Sequence, residues 1–145
     1  MREQGYVDLV HLAGLYGNSV VVRVSGRDTK GDPRVLVGEI AVDTKFVKGT
    51  LPTWIFPEDL AAWRAVLDQL AQAGNASWRK GQKAAELHIE VVDRDEGEDR
   101  VRVSVVDRSM SQTTAQVLLD LADGWIDEQR SRLDEVQKAW PDQDE

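Results

Sequence analysis

Residues 46–74, FVKGTLPTWIFPEDLAAWRAVLDQLAQAG, decide how the chain is read. The first part is expected to be a strand. Phe46, Val47, Leu51, Trp54, Ile55 and Phe56 are apolar, and their mostly aromatic or β-branched side chains suit a pleated, half-buried surface. Pro57 fits the first turn of a helix, where its missing N–H would have had no intrahelical partner. Glu58 and Asp59 then place negative charge at the positive end of the helix dipole. Leu60, Trp63, Leu67 and Leu70 recur at three- and four-residue spacing and so share one face. Gly74 stops the helix, since it takes a positive φ without steric cost. Phe56 stands where a capping Ser, Thr or Asp is usual, so the first turn must be capped from elsewhere.

Strand-like segments lie on both sides of this unit. Tyr6–Leu12, Ser19–Gly26 and Val35–Val42 precede it, separated by turns rich in Gly, Asn, Asp and Pro. After Gly74 come a short strand, Ala76–Arg79, carrying Trp78, and then Ala85–Val92. The charged stretch Asp93–Asp99 is expected to be a hairpin tip leading into alternating Val101, Val103 and Val105. Ser109–Gln112 connects to a last strand, Thr113–Leu121. Asp123 is the expected N-cap of a closing helix over 124–139, which Pro141 ends. No βαβ alternation is present, which argues against a doubly wound sheet. The expected fold is α+β: about eight strands in a mainly antiparallel two-layer sandwich or half-barrel, with one central and one C-terminal helix over open edges or ends. One domain is expected over 1–141, followed by a frayed acidic tail at 142–145.

Composition narrows the function. The 145 residues contain no cysteine, which excludes disulfides and thiolate metal sites. The N-terminus lacks the apolar run of a secretory signal, and no stretch is long and apolar enough for a membrane helix, so a cytoplasmic protein is expected. The net charge of −8 and pI of about 4.8 disfavour nucleic-acid binding, because a phosphate backbone would be repelled. The same acidity suits a basic protein partner.

No motif for chemistry is complete. Asp93, Asp95, Gly97 and Asp99 have the odd-position spacing of a calcium loop, but Gly97 offers no oxygen ligand and no bidentate Glu closes the loop. His11 and His88, the only histidines, form neither HxH nor HxxxH, so no metal site is expected. Ser109, Ser111, Thr113 and Thr114 lie in a hydroxyl-rich connection without a GxSxG elbow or SxxK. A triad assembled from distant residues would be invisible at this level. An enzyme and a cofactor are therefore not expected; an enzyme would need a perturbed carboxylate such as Glu90 or Asp107.

Three segments resemble a known family. They are Asn18–Val24 (NSVVVRV), Phe46–Leu60 (FVKGTLPTWIFPEDL) and Glu86–Val92 (ELHIEVV), in the order hairpin, helix entry, later strand. This pattern resembles WapI-type immunity proteins of bacterial contact-dependent toxin systems. The closing W-I-x-E-Q-R-x-R-L-D stretch, Trp125 to Asp134, is similar to an uncharacterised family of short acidic proteins from high-GC bacteria. Phe56 departs from the Thr typical before the helix Pro. The resemblance implies a small cytosolic protein that binds and neutralises a toxin, and it transfers no functional residues.

The expected partner-binding residues are Trp78 and Trp140, read as partly exposed, and the acidic helix residues Asp127, Glu128, Asp134 and Glu135. Their partner would be a basic protein such as a nuclease-type toxin domain. The alternative is a small-molecule-binding or regulatory module with a sheet pocket near Trp54 and Trp78. The oligomeric state stays open.

Overall fold

The computed structural model describes residues 5–81, 84–108 and 111–141. The first half forms β1 (Val7–Ala13), β2 (Ser19–Arg27), β3 (Leu36–Asp43) and β4 (Lys48–Ile55), then α1 (Pro57–Ala73). The second half forms β5 (Asn75–Trp78), β6 (Glu86–Asp95), β7 (Glu98–Val106) and β8 (Thr114–Ala122), then α2 (Trp125–Ala139). Each half makes one four-stranded sheet in chain order, β1-β2-β3-β4 and β5-β6-β7-β8, and every pairing is antiparallel. The α+β class, the strand number and the two helices agree with the sequence reading.

Alternation sets the inward faces. Val20, Val22 and Val24 of β2, Leu36 and Ile40 of β3, and Ile55 of β4 are buried on one sheet. Leu87 and Ile89 of β6, Val101, Val103 and Val105 of β7, and Val117, Leu119 and Leu121 of β8 are buried on the other. These side chains merge with Trp63, Leu67 and Leu70 of α1 and with Trp125, Leu133 and Val136 of α2 in one core. Gly38 faces inward on β3, where a β-carbon would strike the Arg23 carbonyl of the bulged strand β2.

Two sheets have four outer strands, and each is dealt with. The Gln129 side chain of α2 acts as a strand surrogate on β1: its Oε1 accepts from the His11 N–H (2.8 Å) and its Nε2 donates to the His11 carbonyl (3.2 Å). Helix α1 packs along β5. The β1–β2 turn docks on β8, with Leu15 N–H donating to the Asp120 carbonyl (2.9 Å) and Asn18 Nδ2 to the Leu118 carbonyl (3.3 Å). On β4, Pro52 has no N–H to offer, and Arg79 donates to the Trp54 carbonyl (3.0 Å).

Several local expectations change. The Asp59 carboxylate accepts from the Phe56 N–H (2.9 Å), which supplies the return half of a capping box on a residue with no side-chain acceptor of its own. Asp123 is not the N-cap of α2. Gly124 holds that place at φ 87°, a left-handed conformation that favours glycine. Phe46 and Val47 are not part of β4. Thr44 Oγ1 accepts from both their N–H groups in a turn, which leaves the Phe46 ring 95% exposed. The charged tip is smaller than expected, because β6 runs to Asp95 and β7 starts at Glu98.

Trp78 overturns an expectation of consequence. It is fully buried, not partly exposed, with its ring 5.3 Å from that of Trp63 and its Nε1 donating to the Asp59 carbonyl (2.9 Å). Its neighbour Arg79 is also buried. The guanidinium donates to Thr53 Oγ1 (2.6 Å) and to the carbonyls of Trp54 and Ala85 (3.0 and 3.1 Å), lies 3.8 Å from the Asp59 carboxylate, and stacks 4.5 Å from the Trp78 ring centre. Arg79→Met keeps the apolar stem but leaves those acceptors without their donor. Breaking such a buried charged cluster costs about 3–5 kcal/mol. Urea unfolding of the variant should show a loss of that order, and an unchanged midpoint would reject the joining role given to Arg79.

Candidate functional site on the open face of the second sheet

The outward side chains of β5–β8 form a polar face whose rows follow from strand register. Ser77, His88, Ser104 and Gln116 are successive partners across the four strands. The next row is Asn75, Glu90, Arg102 and Leu118, and beyond the bulge at Val92 comes Asp93, Arg100 and Asp120. A shallow groove of about 450 Å³ runs along the first two rows.

At one end of this face, three side chains are joined in series. Ser77 Oγ lies 2.7 Å from His88 Nδ1, and His88 Nε2 lies 2.8 Å from Glu86 Oε1. Glu86 is wholly buried, and its other oxygen accepts from Arg108 Nε (2.9 Å) and the Gly81 N–H (3.1 Å). Burial opposes ionisation of Glu86, but the donors Arg108, Gly81 and His88 outweigh it and hold its pKa at about 2. An ionised Glu86 can only accept, so His88 Nε2 carries the proton in the neutral ring. Nδ1 is then the acceptor, and the Ser77 hydroxyl donates to it.

The other end is acidic. Asp93, Asp95, Glu98 and Asp120 lie around Arg100, whose hydrogen bond with Asp120 (3.0 Å) raises its pKa, with Asp93 and Asp95 adding to the effect. Asp99 does not join them: it accepts from Trp125 Nε1 (2.9 Å) on the core side. The aspartates of this stretch therefore do not converge on one point. Among the described residues no group of three or more His, Asp or Glu is placed to hold a metal ion.

The residues expected to bind a partner are scattered. Trp78 is closed off in the core, and Trp140 is half-buried against it. Asp127, Glu128, Asp134 and Glu135 all lie on α2, but three of them are engaged within the chain. Arg130 bridges Asp127 and Asp68, Arg132 pairs with Glu128, and Arg64 with Asp134. Glu135 is exposed. Trp54 is half-exposed on the outer face of the first sheet. Trp54 and Trp78 share no open surface, because Trp78 is buried.

An apolar cleft of about 190 Å³ lies instead between the sheets, walled by Ile40, Val42 and Leu51 on one side and Val105 and Ala115 on the other. Asp107 and Ser111 sit at its polar side, with Ser111 Oγ donating to Asp107 (2.8 Å). Ser109 lies outside the described residues. Of the two carboxylates singled out in the sequence, Glu90 is exposed and paired with Arg102 (2.9 Å), and Asp107 is buried. A carboxylate that is strongly shifted is Glu86. A usable signal was present: Glu86 and His88 are two apart on one strand and so share its face, but finding Ser77 needs the β5–β6 register.

These features define an α+β protein of two antiparallel sheets with one polar sheet face left open. Among the described residues no helix is long and apolar enough to cross a membrane. The chain belongs to a family of unknown function, DUF5959, which matches residues 7–141. No curated protein and no solved structure matches it.

The position of Glu86 has a pH consequence. Its pKa falls from the ordinary 4.5 to about 2 on folding, so its ionised form favours the folded state. That contribution is complete above 4.5 and is lost as pH falls towards 2. Glu86→Gln should therefore be less stable than the parent near neutrality, with the gap closing on acidification. Thermal unfolding of both proteins across that range tests this, and a gap independent of pH would contradict it.

Proposed function

We propose that this chain works by binding a cationic protein, in the manner of an immunity protein that neutralises a nuclease-type toxin in the cytoplasm. The observation that carries the reading is one juxtaposition on the second sheet. Exposed Leu15, Tyr16 and Leu118 lie at the docking of the β1–β2 turn on β8, beside the acidic group Asp93, Asp95, Glu98 and Asp120. An apolar patch with a charged rim is the anatomy of a protein interface. The net charge of −8 would steer a basic partner to it. The α2 carboxylates serve this less well, because their own arginines neutralise much of their field.

The test starts with affinity capture from cells at low and high salt, followed by expression of any captured basic protein alone and together with this chain. One stoichiometric partner, lost in high salt, toxic alone and harmless in co-expression, is the expected result. Exchange of Asp93, Asp95 and Glu98 for Asn, Asn and Gln should slow association about tenfold at low salt, within the range that steering supplies. Equal association rates for parent and variant would remove the acidic hairpin from the interface.

The apolar cleft favours a second reading, a small-molecule-binding module. At about 190 Å³ it is smaller than the roughly 300–1,000 Å³ of drug-sized pockets, so only a compact apolar group would fit. A metabolite screen by thermal shift should find a stabiliser whose effect Leu51→Trp abolishes by filling the cleft. Stabilisation that survives this exchange would place the ligand elsewhere.

A further inference from the structure

We propose that Ser77, His88 and Glu86 form a nucleophile–base–carboxylate relay, which makes Ser77 an acyl-accepting hydroxyl on the open face of the second sheet. This goes beyond the binding role and does not depend on it.

The geometry has the three side-chain elements of such a relay. Ser77 Oγ and His88 Nδ1 are 2.7 Å apart, within reach for proton transfer in the attacking step. His88 Nε2 and Glu86 Oε1 are 2.8 Å apart, so the carboxylate fixes the ring and would stabilise the imidazolium formed on attack. Glu86 is itself held from behind by Arg108 and the Gly81 N–H, so the base does not rest on a mobile support. The imidazole is turned over relative to the familiar Ser-His-Asp triad, where Nε2 faces the hydroxyl. The chemistry tolerates this, because either ring nitrogen can be the base if the other holds the proton.

A purely structural cross-strand pair between Ser77 and His88 has no need of a buried, ionised carboxylate behind the ring. Desolvating Glu86 works against the fold, and its three donors offset that. What the arrangement adds is a histidine whose Nε2 is held by a carboxylate, which leaves Nδ1 facing a half-buried serine beside an open groove. That groove is bordered by Asn75, Glu90, Arg102 and Gln116, which suits small polar acyl groups rather than long aliphatic ones.

The reaction is ester hydrolysis in two steps. Ser77 Oγ bonds to the acyl carbon as its proton passes to His88 Nδ1. The acyl–oxygen bond breaks, and that proton leaves on the alcohol. Water then gives a proton to Nδ1 and bonds to the acyl carbon. The Ser77–acyl bond breaks, and the proton returns to Ser77. The sum is ester plus water to carboxylic acid plus alcohol, with no other reactant.

The test uses the intact protein with p-nitrophenyl acetate and a fluorophosphonate probe, with adducts located by peptide mass spectrometry. Ser77 should be modified about a hundredfold faster than the other serines, a factor within the reach of general-base activation. Ser77→Ala should remove that adduct, and His88→Ala should slow it at least tenfold. His88→Gln, which keeps a hydrogen-bonding side chain on the same strand, guards against a folding defect, and circular dichroism of all three variants reports it. Modification of Ser77 no faster than of other serines, or a rate unchanged in both folded His88 variants, would overturn the proposal.

Discussion

The fold turns on one buried cation. Arg79 is 3% exposed, and its backbone sits at φ 64°, a left-handed conformation that disfavours a side-chain-bearing residue by roughly 1–2 kcal/mol. It is held there because its fork of donors meets acceptors from three directions: Thr53 and Trp54 on β4, Asp59 at the start of α1, and Ala85 just before β6. A buried charge without partners would be intolerable, so all of these groups must be in place together. That requirement joins the two sheets and the entry of the central helix in a single arrangement. Trp78 adds to it, as its indole donates to the Asp59 carbonyl while its ring lies against both Trp63 and the guanidinium.

Once the sheets are joined, their outer strands set the next constraint. An open edge invites pairing with another chain. Here β1 is bonded by Gln129, β5 lies along α1, β8 receives the β1–β2 turn, and β4 meets Arg79 and carries Pro52. Strand addition is thus a poor route to recognition in this molecule. The outward rows of β5–β8, by contrast, combine charge, hydroxyls and exposed apolar groups. The two ends of that face differ in kind. One is a field of carboxylates around Arg100, and the other is a fixed hydrogen-bond series ending in a hydroxyl.

Much of this architecture was legible in the sequence, and the misreadings of the core and the site come from long-range contacts. Alternating valines marked the strands, and Pro57 and Gly74 bracketed the central helix, because these signals are local. Trp78 was misjudged because its neighbours Arg79 and Lys80 look like surface. Arg79 is buried only because acceptors 25 and 26 residues earlier in the chain come to meet it. Asp123 looked like a cap, but the left-handed Gly124 takes that position and leaves Asp123 outside. On α2, the Arg130–Asp127 and Arg132–Glu128 pairs could be read from helical spacing, whereas Asp68 and Arg64 arrive from α1. The site follows the same rule. Glu86 and His88 share a strand face by alternation alone, but Ser77 reaches them only through the β5–β6 register.

The structural centre and the candidate relay are not independent. Arg79 directly follows the short strand that carries Ser77, and its Nε holds the Ala85 carbonyl immediately before Glu86. Gly81, two residues further on, turns its N–H to the Glu86 carboxylate. The segment that anchors the sheets to one another therefore also places the carboxylate behind His88 and the strand that bears the hydroxyl. Rigid support of this kind is what a reactive constellation requires, since small displacements of the reacting atoms are costly. A surface pair of Ser and His would ordinarily drift with its side chains. Here the ring is gripped by a buried carboxylate, one of whose donors, the Gly81 N–H, lies two residues from the core cation.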